Sequence, residues 1–490
     1  MKKFLWILCD LLLLPACACA DAIGRALLIG VDDFVSRPSA YPSSTNNVYA
    51  MQEMFQHGAV PMETIYLPPQ PVTGADELAR LISVTFGAAD EDDISYLYLS
   101  THGVYEPHGE AALLLSDGRI ENRLTAQQLE DAFAEIKGEK VLILDACSSG
   151  AFIGKGLATP PEDVHFLDFK VLCSSGAMEE SWYWSAGEDL RGQGAFYFTQ
   201  ALAQSVSPAG GYPADQNSDG AITLSEVYDY LLLNHAASTP QVYPQEDDFV
   251  FFRYDPAAPL PTGMDRAPVM DVTFSGSILS RENRQISIEF IATRPVRVAY
   301  QIVYQRDGRW AFEKAQLIYD QAERFTAFGD QPGAVSAGRK IRTVNLSGLA
   351  AEKHGYALVQ LVSIDQGKLT VHAGRVLCIP PEGGEMTLTA DVNDRLDLST
   401  GRELSIFIGH DVPCTLSIAV MDENGAVVHR ICHRRSTRPM QITPAGSVFY
   451  WDGRLKDGSF APEGVYHIRA QANLNDASVT VLSSAFVIEK

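Results

Sequence analysis

VLILDACSSG, residues 141–150, is the stretch that decides the fold. Apolar residues run without a break into Asp145, and Cys147 follows two positions later among small residues. The turn-like Lys137-Gly138-Glu139-Lys140 precedes them. An apolar run bounded in this way fits a strand buried on both faces, the kind found in a parallel sheet covered by helices. Small residues after Cys147 let the backbone turn sharply and leave the sulfur accessible. The carboxyl end of such a strand is where open α/β sheets bind ligands. ISYLYLSTHG, residues 94–103, has the same shape and ends in His102-Gly103. Two parallel strands ending side by side bring His102 to Cys147, a cysteine nucleophile with its base.

Outward from these strands the pattern alternates. RALLIGV (25–31) reads as a strand. Ser43-Ser44-Thr45 offer capping hydroxyls to a helix over 46–57, with Val48, Met51, Met54 and Phe55 on one face. A second helix spans 75–86, a short strand 111–115, a helix 125–136, a buried strand 169–174 and a helix 195–204. Such alternation implies βαβ units, hence an α/β fold with a mostly parallel sheet flanked by helices. Residues 255–268 (DPAAPLPTGMDRAP) have the composition of a linker. Beyond it period-two strands at 286–291, 296–303, 357–362 and 371–377 form a β-sandwich pattern. IPPEGGE (379–385) precedes a second β-rich segment. The expected organisation is a signal peptide over 1–20, an α/β domain over 22–254, the linker, and all-β sandwiches over 269–380 and 385–490.

With 490 residues and 46% hydrophobic content, the chain is long enough for several domains with real cores. Its formal net charge of −23 gives a surface that repels nucleic acid and anionic membranes. Met1-Lys2-Lys3, an apolar run over 4–14 and Ala18-Cys19-Ala20 read as a secretory signal, too short to span a membrane. Acylation of Cys17 after Leu14-Pro15-Ala16 is the lipoprotein alternative. No other stretch reaches transmembrane length. The address is therefore periplasmic or extracellular. Past the signal the cysteines are odd in number: Cys147, Cys173, Cys378, Cys414 and Cys432. At least one is a free thiol, assigned to Cys147, while Cys414 and Cys432 could pair across neighbouring strands, a pairing that sequence alone leaves open.

Chemistry follows from the two strand ends. A thiolate at Cys147 attacks a peptide carbonyl, and His102 takes its proton and returns it to the leaving amine. The amides of Gly103 and Cys147 form the oxyanion hole. No organic cofactor is required. Taken singly, a cysteine at a strand end is commonly structural and a His-Gly commonly a turn. Their pairing at successive buried strand ends carries the reading.

DQNSDGAITLSE (215–226) places oxygen side chains at loop positions 1, 3, 5, 9 and 12 with glycine at 6, the EF-hand pattern. Asp215, Asn217, Asp219 and Glu226 would coordinate calcium directly, Ala221 through its carbonyl, and Thr223 directly or through water. The preceding SPAGGYPA (207–214) is not helical, so this is half an EF-hand. The alternative is a polar turn held by Asx bonds and helix capping.

Ser100-Thr101-His102-Gly103 and Asp145-Ala146-Cys147-Ser148-Ser149-Gly150 resemble the His and Cys motifs of the caspase/metacaspase family of cysteine peptidases. The opening ALLIGVDDF and Thr239-Pro240-Gln241-Val242 before the apolar 249–252 add to the likeness, which covers roughly 22–254. The resemblance implies a caspase–hemoglobinase fold, a Cys147–His102 dyad and endopeptidase activity on protein or peptide substrates. In metacaspases the aspartate two before the cysteine lines the first specificity pocket and favours Arg or Lys, and Asp145 matches it. The family's Asn-Asp pair in the first helix reads Asn46-Asn47 here, so one carboxylate is missing. The arginines with which animal caspases bind aspartate have no match. Gingipain-like and legumain-like peptidases share the His-Gly and Cys arrangement and stay open as alternatives. Relatives are often cut in the loop 151–168, where Lys155 is a candidate site.

FYWDGRLKDGSFAPEGVY (449–466) resembles the immunoglobulin-like domain of flagellar hook-capping proteins, with Trp451 and Tyr466 as core aromatics. That likeness implies a fold and no activity. The β segments are spacers or a means of attachment to a surface or wall. A catalytically inactive scaffold acting through them is the rival to the peptidase.

Overall fold

The computed structural model describes residues 22–105, 111–157, 164–185, 193–280, 282–306, 309–323, 331–346, 355–379, 386–437, 439, 445–474 and 477–490. The expected export signal, Cys17 included, lies outside them, as does part of the loop 151–168.

A six-stranded sheet organises the N-terminal part. Its strands are β1 (Gly24–Gly30), β2 (Met62–Tyr66), β3 (Ile94–Ser100), β4 (Glu139–Asp145), β5 (Phe169–Cys173) and β6 (Gln241–Tyr243), in spatial order β6-β5-β4-β3-β1-β2. Five run parallel and β6 is antiparallel at the edge beside β5. The period of two sorts the apolar residues: Leu97, Leu99, Leu142 and Leu144 enter one core, and Tyr96, Tyr98, Val141 and Ile143 the other. Helices α2 (Ala75–Phe86) and α3 (Ala126–Ala132) cover the first face. Helices α1 (Ser43–Gln56), α4 (Tyr197–Ser205) and α5 (Leu224–Asn234) cover the second.

Three local expectations change. Helix α1 begins at Ser43, so the three hydroxyl residues lie in its first turn. Its capping group comes from the loop after β1: Asp32 accepts from the Ser44 and Thr45 amides at 2.9 and 3.0 Å. Helix α3 ends at Ala132, although Phe133 and Ile136 are still buried where the following turns double back on the core. The strand register sets Cys414 opposite Thr437 and Cys432 opposite Ile418, so these two do not pair. All five described cysteines are free thiols.

The chain after the linker is strand-rich. Val269–Phe274, Gln285–Ala292 and Gly338–Asn345 form one sheet, and Val296–Arg306, Gly355–Asp365 and Lys368–Ile379 build another. Residues of both join one core. A second pair of sheets, of three and five strands, shares the core that holds Trp451 and Tyr466. Among the described residues no helix is long and apolar enough to cross a membrane.

Candidate active site

Strands β3 and β4 are adjacent and parallel, with Ser100 opposite Asp145. His102 and Cys147 therefore each stand two residues beyond one paired position, at the same lip of the sheet. The Thr101 amide extends the pairing to the Asp145 carbonyl at 3.1 Å. Gly103 then runs against the nucleophile's own backbone. A Cβ built there would lie 1.8 Å from the Cys147 carbonyl oxygen, so only glycine fits. Ser148, next to the nucleophile, is held at φ 55°, a left-handed conformation that a non-glycine residue adopts only when its surroundings impose it.

The imidazole of His102 packs on Phe34, ring centres 4.5 Å apart. Its Nε2 lies 3.3 Å from the Pro38 carbonyl, which can only accept, so the proton sits on Nε2 and Nδ1 is the free base. Burial lowers the His102 pKa, although the Pro38 carbonyl opposes the shift. The ring is therefore neutral at neutral pH. The loop after β1 supplies both of its neighbours.

Cys147 is half-buried, and its sulfur donates to the Ser181 carbonyl at 3.5 Å. The Ser148 amide donates to the Glu179 carbonyl at 2.8 Å. Residues 179–181 thus lie over one side of the thiol, which stays partly exposed where the small residues after it were expected to leave it open. Burial pushes the thiol pKa up to about 11, with Glu180 and Asp145 adding to the shift and the Ser181 hydrogen bond opposing it. In this conformation the nucleophile is a thiol, not a thiolate.

Asp145 is fully buried beneath it. Its carboxylate accepts from the Ser181 hydroxyl at 3.0 Å and from the Thr199 hydroxyl and amide at 2.6 and 3.2 Å. Burial raises its pKa from 3.8 to about 6, and these bonds hold it from rising further. Asn47 is buried nearby. Its amide donates to the Ser100 hydroxyl at 3.1 Å and its oxygen accepts from the Phe196 amide at 3.0 Å.

Asp32, Pro38, Ser181 and Thr199 belong to the site although no local sequence pattern singles them out. The signal for Ser181 is indirect: Ser174-Ser175-Gly176 follows the buried strand β5 just as His102 and Cys147 follow theirs, which places the next loop on the same rim. Lys155 is corrected. It is only 3% exposed and lies against Glu403 and the Tyr450 ring of the C-terminal segment, so a peptidase cannot reach it in this conformation.

In the loop 215–226 the carboxylates serve their own backbone. Asp215 accepts from the Ser218 and Gly220 amides, Asp219 from Ala221, and Glu226 from Gln216 and Thr223. Thr223 and Glu226 form a capping box on α5. Among the described residues no group of three or more His, Cys, Asp or Glu side chains converges on a metal position.

Residues 23–254 match the peptidase C14 family, described as the caspase domain. This part of the chain is a caspase-fold domain with a parallel sheet and flanking helices. Caspase-1 from Spodoptera frugiperda is a structural match at 16% identity, covering 45% of this chain and 86% of that one, with a TM-score of 0.29. The dimeric latent PorU of Porphyromonas gingivalis matches at 13% identity over 45% of this chain, with a TM-score of 0.18. The match spans 20% of the PorU chain. No curated protein matches this chain.

Proposed function

We propose, from the caspase domain at 23–254, that this is an exported cysteine endopeptidase working through Cys147 and His102. The observation that carries the reading is the shared register of β3 and β4, which ends both motifs at one lip with the Gly103 backbone against that of Cys147. His102 takes the thiol proton, and the sulfur bonds to the substrate carbonyl carbon. The amides of Gly103 and Cys147 receive the oxyanion. His102 then protonates the leaving amine, and water, deprotonated by the same ring, releases the acyl group. A preference for a basic first residue is proposed from the match of Asp145 to the metacaspase position; buried behind Ser181 and Thr199, with Asn47 buried nearby, its charge would act on the pocket from below rather than touch the substrate. The test is cleavage of a peptide library varying the residue before the cut, by wild type and Cys147→Ala. Cutting after Arg or Lys that disappears in the variant supports the reading. Cutting that persists in the variant, or a preference for Asn or Asp, overturns the dyad or the specificity respectively.

Calcium at 215–226 is part of the same proposal. The oxygen donor set and the glycine at position 6, with φ 82° at Gly220, support it, although binding must displace the amide bonds that the carboxylates now accept. Millimolar calcium should raise the thermal midpoint of wild type and leave Glu226→Gln unmoved. Equal midpoints with calcium and with chelator would reject the site.

The covered thiol favours a second reading, a catalytically inactive scaffold acting through its β-rich segments. Absence of cleavage across the whole library, with and without calcium, would establish it over the first.

A further inference from the structure

Residues 179–181 lie over the nucleophile, and what holds them there comes from two parts of the chain. At one end the Glu179 carboxylate accepts from the Gly176 amide at 3.2 Å and from the Thr239 amide and hydroxyl at 2.9 and 3.0 Å. That anchor belongs to the caspase-fold domain. At the other end Trp182, next to the residue whose carbonyl meets the sulfur, stacks on Phe312 with ring centres 4.5 Å apart and planes at 29°. Phe312 belongs to the middle β-rich segment. The Trp182 carbonyl accepts from the Tyr197 amide at 3.1 Å. Tyr197 packs on the same Phe312, and its hydroxyl donates to Gln301 Oε1 at 2.8 Å, again in the middle segment. Tyr197, Ala236 and Ala237 share one buried cluster with Ala299, Val303, Trp310, Leu358 and Val362, and Trp182 and Trp184 pack against it. Gln193 and Gln204 add hydrogen bonds to Leu369 and Val371 across the same boundary.

We infer that the middle β-rich segment, residues 269–379, sets access to Cys147: Phe312 and Gln301 act as positioning residues that hold Trp182 and Tyr197, and through them the cover over the sulfur. Residues 179–181 cannot lift away while Trp182 stays stacked, because it immediately follows the covering carbonyl. Loss of the stack frees one end of the cover and leaves the Glu179 anchor in place. The middle segment is then a brace on the catalytic loop, and anything that shifts it against the caspase domain opens or closes the site. The inference needs a thiol under a cover and not a working peptidase, so it is separable from the proposed activity.

The test is the rate of iodoacetamide alkylation at Cys147 in the full chain, read by peptide mass spectrometry. Phe312→Ala should speed alkylation at Cys147 at least about tenfold and move its pH profile to lower pH, with the fully buried Cys173 unchanged as an internal control. Phe312→Tyr, which keeps the ring stack, should restore the slow rate. Ile341→Ala, an exposed residue elsewhere on the segment, should behave as wild type. Should Phe312→Ala fail to fold, Tyr197→Phe removes only the bond to Gln301 and should give a smaller acceleration in the same direction. Equal Cys147 rates in wild type and folded variants would overturn the inference. Fast labelling without any peptide cleavage would uphold it while removing the peptidase reading. Cleavage with equal labelling rates would do the reverse.

Discussion

Asp145 shows what the caspase-fold domain spends to build its site. A carboxylate wholly buried among hydroxyls has its pKa raised from 3.8 to about 6, so the folded chain holds that proton more tightly than the unfolded chain does. The favourable contribution is complete below the unfolded value near 3.8 and is lost as the pH rises through about 6. By neutral pH the ionised group costs on the order of 3 kcal/mol. Asp145→Asn should therefore flatten the fall in thermal midpoint between about pH 4 and 7 that wild type displays. Thermal scans that run parallel across this range would refute the buried-acid account. Gly103 makes the complementary case, in sterics. Alanine there would drive a methyl into the Cys147 carbonyl, and the backbones must separate. A shift of about 1 Å at the reacting atoms costs on the order of 100-fold. Gly103→Ala should lose at least that much kcat/KM in steady-state assays while remaining folded, and full activity would show that the two backbones do not meet in solution.

At the scale of elements, the loop between β1 and α1 does two things at once. Asp32 caps α1, and Phe34 and Pro38 fix the His102 ring. Asp32→Ala should cost about 1 kcal/mol, a fall of about 2–4 °C in midpoint for a domain of this size. Because the same loop carries the imidazole's neighbours, kcat/KM should fall further than that loss of stability explains. Calorimetry alongside peptide kinetics separates the two, and a drop in midpoint with unchanged kinetics would limit Asp32 to capping. This loop also marks where sequence reading stops. The buried strands β3, β4 and β5 were legible because an unbroken apolar run between turn residues has few other homes. Helix α2 was legible because Leu78, Leu81, Ile82 and Phe86 recur at helical spacing. The lip shared by His102 and Cys147 followed from those strands alone. The cap of α1 was not legible, because its carboxylate comes from another stretch of chain and a local rule credits the nearest hydroxyls. The cover over the thiol was hidden for the same reason: Ser181 gives its carbonyl, a group every residue has. Strand β2, METIY over 62–66, carries too little alternation to stand out from a loop.

Over the whole molecule, the C-terminal β-rich segment folds back onto the nucleophile's own loop. Lys155 stands eight positions past Cys147 in sequence and is buried with its ammonium paired to Glu403. It also donates to the Val242 carbonyl at 2.6 Å and lies 4.2 Å from the centre of the Tyr450 ring. The Tyr450 hydroxyl accepts from the Gly156 amide at 2.9 Å, and Glu403 accepts from the Gln245 amide at 2.8 Å. Burial lowers the Lys155 pKa, and the paired Glu403 carboxylate opposes that shift. Such a pair adds little over a well-packed apolar one, but removing one partner strands the other charge at about 3–5 kcal/mol. Glu403→Gln should therefore loosen the contact between the C-terminal segment and the loop, and expose the Lys155–Gly156 bond. Brief trypsin treatment should cut after Lys155 at least about tenfold faster in the variant than in wild type, where the cage hides the side chain. Lys155→Met combined with Glu403→Met removes both charges and should recover most of the lost stability in denaturant titrations, though it also removes the trypsin site. If the single variant resists trypsin at Lys155 as wild type does, the segment is not held by this pair, and the loop after the nucleophile stays covered through its other contacts, Tyr450 with Gly156 among them.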